Sequence, residues 1–297
     1  MPNFSSCLSR RAALAGIAGL VTQGSTILRA ATAARRTLVC IRLADTSDAL
    51  GMVGSGGAFL PLVSHQSQVG FGLHRSLAAL GTLFDVGSLA VIQGASTRHG
   101  GFEYLPKGFA IPAWLASEAG VSILSSQGKA FTLRTGTVML TPDGSSLSGD
   151  QFENAALVSS AQQRSFAMPA TSLGKQLQQV ANLVGQFGTG RKFFVVSHGG
   201  AQTVGGPDVQ LAARYEVLAE AMSAFQNALM EAGREADVVT FTDSVAPNGA
   251  SGARLVMGRP VIGGELYTEP DAGDAALAEW AGRPSNGASL VSPRFLV

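Results

Sequence analysis

Apolar positions along this chain fall into two kinds of run. Short β-rich runs occupy residues 37–43 (TLVCIRL), 89–94 (LAVIQG), 192–197 and 237–241, and they read as buried strands. Between them apolar residues recur at helical spacing. Residues 73–84 (LHRSLAALGTLF) predict a helix, and so do residues 171–187, with Leu173, Leu177, Val180 and Val184 on one face. Residues 209–232 predict a long helix closed by Gly233. Residues 111–120 predict a short helix with Pro112 at an early position.

Between residues 121 and 149 the pattern changes. VSILSS, AFTLRTG and TVMLTPDG are short runs cut by Gly and Pro, which predicts a small β-hairpin insertion at about 121–165. In the second half helix and strand alternate, the pattern of a mostly parallel sheet covered by helices. The tail after Glu269 reads as loop with one short helix near 275–281.

Composition narrows the class. The 297 residues, 46% apolar and 14% charged with 37 glycines, suit one large α/β domain and exclude a disordered chain. A net charge of +1 gives nothing global to attract nucleic acid. No apolar run of the expected mature chain has the length of a membrane-spanning helix.

Residues 1–33 stand apart. They hold Arg10, Arg11 and Arg29 and no acidic residue; Ser9-Arg10-Arg11 precedes AALAGIAGLV, and Ala31-Thr32-Ala33 closes the segment. This is the layout of a twin-arginine export signal, with a loose N-terminal helix as the alternative. Its removal would take three positive charges, so +1 becomes −2, and residues 34–297 would form the mature domain in the periplasm or outside the cell. Cys7 lies in the signal. Cys40, inside TLVCIRL, is then alone, so it reads as a packed thiol and the fold must rest on its core.

Candidate chemistry is sparse. The histidines are His65, His74, His99 and His198, and none forms a His-x-x-x-His pair. His74 heads a predicted helix and reads as a cap or surface residue. His65 lies in a polar loop. His99, in STRHGGFEY, could line a cleft. FFVVSHGGA resembles a glycine-rich oxyanion loop, but no Gly-x-Ser-x-Gly elbow follows it, and GSSLSGD lacks the spacing. Neither a Walker loop nor Gly-x-Gly-x-x-Gly after the first strand is present. Asp45, Asp48 and Asp243 follow predicted strands, with Thr242-Asp243-Ser244 read as a loop. Carboxylates at strand ends can converge on a divalent ion; the alternative is ordinary turn chemistry.

The ordered set TSLGKQLQQVANLV, FFVVSHGGAQT, AFQNAL, VVTFTDS, NG, LVMG, VIGG and LY, with the twin-arginine start and LHRSLAALGTLFDVGSLAVIQG, resembles the domain of unknown function 1501 family. It spans residues 9 to 267, with 105–165 matching poorly. The resemblance implies an exported protein related to sulfatases and alkaline phosphatases. The implied fold is a three-layer α/β/α sandwich. It also implies divalent metals held by Asp, Glu and His at strand ends.

Four family pieces bear on the metal. Where the family has Gly-Gly-x-Asp-Gly, this chain keeps only the acidic position, Asp48. Where it has Gly-Gly-x-Asp-Thr-His, Gln202 stands for Asp and Val204 for His, and His198 falls elsewhere. Thr242-Asp243-Ser244 survives from the third piece, and no Asp-His-Gly box follows Asn248-Gly249. The expectation is a non-catalytic binding or assembly protein with Asp48 as a vestigial metal position, no resident cofactor and an envelope protein as partner. The rivals are a phosphate- or sulfate-ester hydrolase, with a divalent metal in a site rebuilt from Asp45, Asp48, Gln202, Asp243 and Asn248 and joined by His99 or His198, and a structural subunit of an envelope complex.

Overall fold

The computed structural model describes residues 36–43, 46–95, 102–105, 109–112, 131–133, 138–139, 152–154, 164–184, 192–198, 207–244 and 252–268, with Leu277 and Trp280. The first strand, β1 (Thr37–Leu43), runs into a one-turn helix, α1 (Thr46–Leu50). A three-stranded antiparallel sheet follows: β2 (Val53–Gly54), β3 (Phe59–Val63) and β4 (Gly70–His74), in the order β2-β4-β3. A 3₁₀ helix (Arg75–Leu80) leads to α2 (Gly81–Asp85) and β5 (Leu89–Ala95).

Then come the hairpin of β6 (Phe102–Leu105) and β7 (Phe109–Pro112), and a small antiparallel sheet of β8 (Phe131–Leu133), β9 (Val138–Met139) and β10 (Phe152–Asn154). The second half alternates as read: α3 (Ser172–Val184), β11 (Lys192–His198), α4 (Pro207–Glu231), β12 (Val238–Ser244), β13 (Gly252–Met257) and β14 (Leu266–Tyr267).

The central sheet has the order β11-β1-β12-β13-β5-β14. β1 is parallel to both β11 and β12. β13 is antiparallel to β12 and β5, and β14 is parallel to β5. Every strand but β13 therefore points the same way, and the mostly parallel α/β sheet is established.

Side-chain alternation along the strands builds two buried faces. Val39, Ile41 and Leu43 of β1 join Phe194 and Val196 of β11 in the main core. α3 and α4 cover this face. The α3 stripe of Leu173, Leu177, Val180 and Val184 is buried as its spacing predicts. α4 buries Tyr215, Leu218, Met222, Phe225 and Leu229, spaced three and four apart, and Gly233 at φ 64 ends its C-terminal turn as only glycine does easily. On the opposite face Leu38, Cys40, Val239 and Phe241 are also buried. Trp280 lies on that side: Arg36 donates to its carbonyl at 2.7 Å and stacks 5.5 Å from its ring centroid.

Three sequence expectations are corrected. Residues 73–84 are not one helix: His74 ends β4, and the helical part begins at Arg75 as a 3₁₀ turn. Leu77 and Leu80, three apart, match the 3₁₀ period, and Phe84, four further on, matches the α-helix that follows. Ile111 and Pro112 belong to strand β7. Thr242-Asp243-Ser244 continues β12 and is not loop. Thr242 and Asp243 are tolerated there because both find partners on β13: Thr242 Oγ1 accepts a bond from Leu255 N at 2.9 Å, and Asp243 pairs with Arg254.

Thr37 and Thr240 are buried core threonines whose hydroxyls meet no partner among the described residues. Thr240 is 1% exposed. Thr240→Val should raise unfolding stability by about 1 kcal/mol, since a buried hydroxyl that makes no bond loses its hydration for nothing. Urea unfolding checks this; a loss of stability would show that the hydroxyl is bonded in solution.

Candidate functional site

The candidate site lies where β1 ends. α1, which follows β1 in the chain, packs across β1, β12 and the start of β13. The approach is close: a Cβ at Gly252 would fall 2.5 Å from the Ala49 Cβ, so only glycine lets α1 settle there.

α1 carries Asp48 inward, where it is 1% exposed. Its charge is met from α4. Arg214 Nε and Nη2 both reach Asp48 Oδ1, at 2.8 and 2.7 Å. The neighbouring Tyr215 donates its hydroxyl to the Asp48 backbone carbonyl at 2.6 Å. Burial, with the Asp48 charge adding to it, pushes the Tyr215 phenol well above its ordinary 10, so it stays a donor.

β11 brings the third element. His198 Nε2 lies 2.9 Å from the Arg214 carbonyl oxygen, which can only accept, so Nε2 carries the ring proton. Burial lowers the His198 pKa from its ordinary 6.5. The hydrogen bond to Arg214 opposes that shift and the Arg214 charge adds to it. With its folded pKa depressed, His198 stays neutral while an unfolded chain takes up the proton at 6.5. Stability is therefore complete above that value and falls as pH drops below it. His198→Gln keeps a donor for the carbonyl and does not titrate. Its unfolding free energy should fall less steeply below pH 6.5 than wild type, as measured by urea unfolding across pH.

Asp243 lies elsewhere. In the β1–β12 register it stands beside Arg42 and, by alternation, on the Phe241 face, opposite the face that α4 covers. Its partner is Arg254 on β13, with Nη2 to Oδ1 at 3.0 Å and both side chains under 8% exposed. The Arg254 guanidinium also lies 5.7 Å from the Phe241 ring centroid. So the structure brings Asp48 together with His198, Arg214 and Tyr215, and does not bring Asp243 to them.

Asp45, His99, Gln202, Val204 and Asn248 lie outside the described residues. His65 sits in the β3–β4 turn with its ring edge-on to Phe84, and His74 caps the 3₁₀ helix as read. Cys40 is a buried thiol in β1.

Among the described residues, the cation facing Asp48 Oδ1 is an arginine. Ligating oxygens must face a cation, and Asp48 Oδ1 already faces the Arg214 guanidinium. Among the described residues, no group of three His, Cys, Asp or Glu side chains could hold a metal ion. The sequence reading missed Arg214, Tyr215 and Arg254. Arg254 left a signal, a lone arginine within the apolar run LVMG and its approach, because a charge in a buried strand needs a partner. Arg214 left none.

No family model matches the chain, and no curated protein matches it. Two solved structures show low similarity to the chain. One is Ps i-CgsB in complex with k-i-k-neocarrahexaose, at 9% identity and TM-score 0.45, covering 84% of this chain and 72% of that one. Another comes from work on glycosaminoglycan metabolism by Bacteroides thetaiotaomicron, at 11% identity and TM-score 0.41, covering 84% and 74%. Both scores are below 0.5, and neither bears on the chemistry of this chain.

Proposed function

We propose that this is an exported protein of the alkaline phosphatase and sulfatase-like kind, a shortened relative of the domain of unknown function 1501 proteins, that works by binding or assembly and not by metal-dependent hydrolysis. The order of sequence blocks supports the affiliation, and the arginine pair at the first family position supports the loss of hydrolysis. The carrying observation is that Arg214 occupies Asp48 Oδ1 with two of its nitrogens. A guanidinium brings the positive charge that a buried carboxylate requires, without a Lewis-acid centre or a labile water. On this reading the partner is an envelope protein.

The test is elemental mass spectrometry of the signal-free protein, purified without chelator or histidine tag. Well under one divalent ion per chain is expected. One tightly held ion per chain overturns the proposal and restores the ester hydrolase reading.

A further inference from the structure

We propose that His74 is an acid-released fastener: its protonation uncaps the 3₁₀ helix of Arg75–Leu80 and loosens that segment from α4. The capping is direct, since the Ser76 backbone N–H donates to His74 Nδ1 at 3.2 Å. A protonated imidazole carries hydrogen on both nitrogens and cannot accept that bond. Few side chains cap through a group that titrates near neutral pH, because the usual Asn, Asp, Ser and Thr caps keep an acceptor there.

The ring is also a packing element. It meets Phe59 edge-on at 5.7 Å and Tyr215 of α4 at 4.9 Å, the same Tyr215 whose hydroxyl holds the Asp48 carbonyl. The 3₁₀ helix is buried against α4 through Leu77 and Leu80, so the cap sits at the joint between two elements of the core.

The charged and titratable groups around the ring come from three elements. On its own segment is Arg75, whose Nε is turned to the Gly57 carbonyl at 2.6 Å. On α4 are Tyr215 and Glu216, the latter accepting from Ser76 Oγ at 3.4 Å, with the Arg214–Asp48 pair behind Tyr215. From β3 the ring meets only Phe59, and α1 contributes Asp48 beyond Tyr215. Glu216 bonds the capped residue and would attract an imidazolium, while Arg75 and Arg214 would repel one. Burial lowers the His74 pKa from 6.5, in line with a ring held neutral in the closed segment.

The experiment is amide hydrogen exchange by nuclear magnetic resonance at Ser76 and Leu77, corrected for intrinsic rates, between about pH 7 and about pH 5. Wild type should lose at least about tenfold in protection across that range. His74→Asn should hold its protection, since Asn accepts the same bond and does not titrate. Equal pH dependence in the variant, or none in wild type, overturns the proposal. Should His74→Asn fail to fold, the imidazole ¹⁵N shifts of wild-type His74 decide instead. A ring that protonates while the Ser76 amide stays protected refutes the fastener; protonation and loss of protection at one midpoint support it.

Discussion

Arg214→Met should destabilise the protein by about 3–5 kcal/mol, because it leaves the Asp48 carboxylate charged, buried and without its guanidinium. Asp48 is 1% exposed, so water cannot take over the role, while Arg214 itself is 20% exposed and methionine fits most of its stem. The loss should be largely recovered by Asp48→Asn in the same chain, because a neutral amide costs far less to bury than a charge. Urea unfolding of the two single variants and the double variant separates the terms. If Arg214→Met lies within about 0.5 kcal/mol of wild type, the pair is not the anchor of α1 on α4 that its geometry indicates.

The second large effect is expected across β12 and β13. Asp243 and Arg254 are a cross-strand pair, 7% and 6% exposed. Arg254→Met should cost about 3–5 kcal/mol by the same argument. Asp243→Leu with Arg254→Met should cost little or stabilise by up to about 4 kcal/mol, since two matched apolar side chains escape the desolvation that the ions endure. Part of the arginine's contribution comes from its place over the Phe241 ring and survives in methionine contacts to that ring. A double variant as unstable as Arg254→Met alone would mean that Arg254 serves a further partner and not Asp243.

These pairs also measure how far the sequence could be read. The scaffold was legible where periodicity and punctuation agree, as in α3 with its stripe of Leu173, Leu177, Val180 and Val184, and in α4 with Gly233 at its end. It was misread where composition resembles something else. Thr242-Asp243-Ser244 looks like loop chemistry, yet the side chains of Thr242 and Asp243 are satisfied sideways by β13, which no local pattern reveals. The β2-β4-β3 sheet went unread because its strands are rich in glycine and carry weak alternation. At the site, Asp48 was visible and its meaning was not. Its partner stands 166 residues away in sequence, on an α4 whose local text gives no cue that one of its charges points inward.

The strand order has a consequence for how such a chain comes into being. β1 sits between β11 and β12, with Thr37 beside Lys192 on one side and Val238 on the other. Its neighbours therefore arrive 192 − 37 = 155 and 238 − 37 = 201 residues after it. During synthesis the apolar ribbon TLVCIRL waits with both edges open until most of the polypeptide has been made, and the loop closures that rescue it are long and slow. A ribosome-bound fragment ending before α3 cannot form the heart of the sheet. The chain must stay clear of its neighbours until those strands emerge.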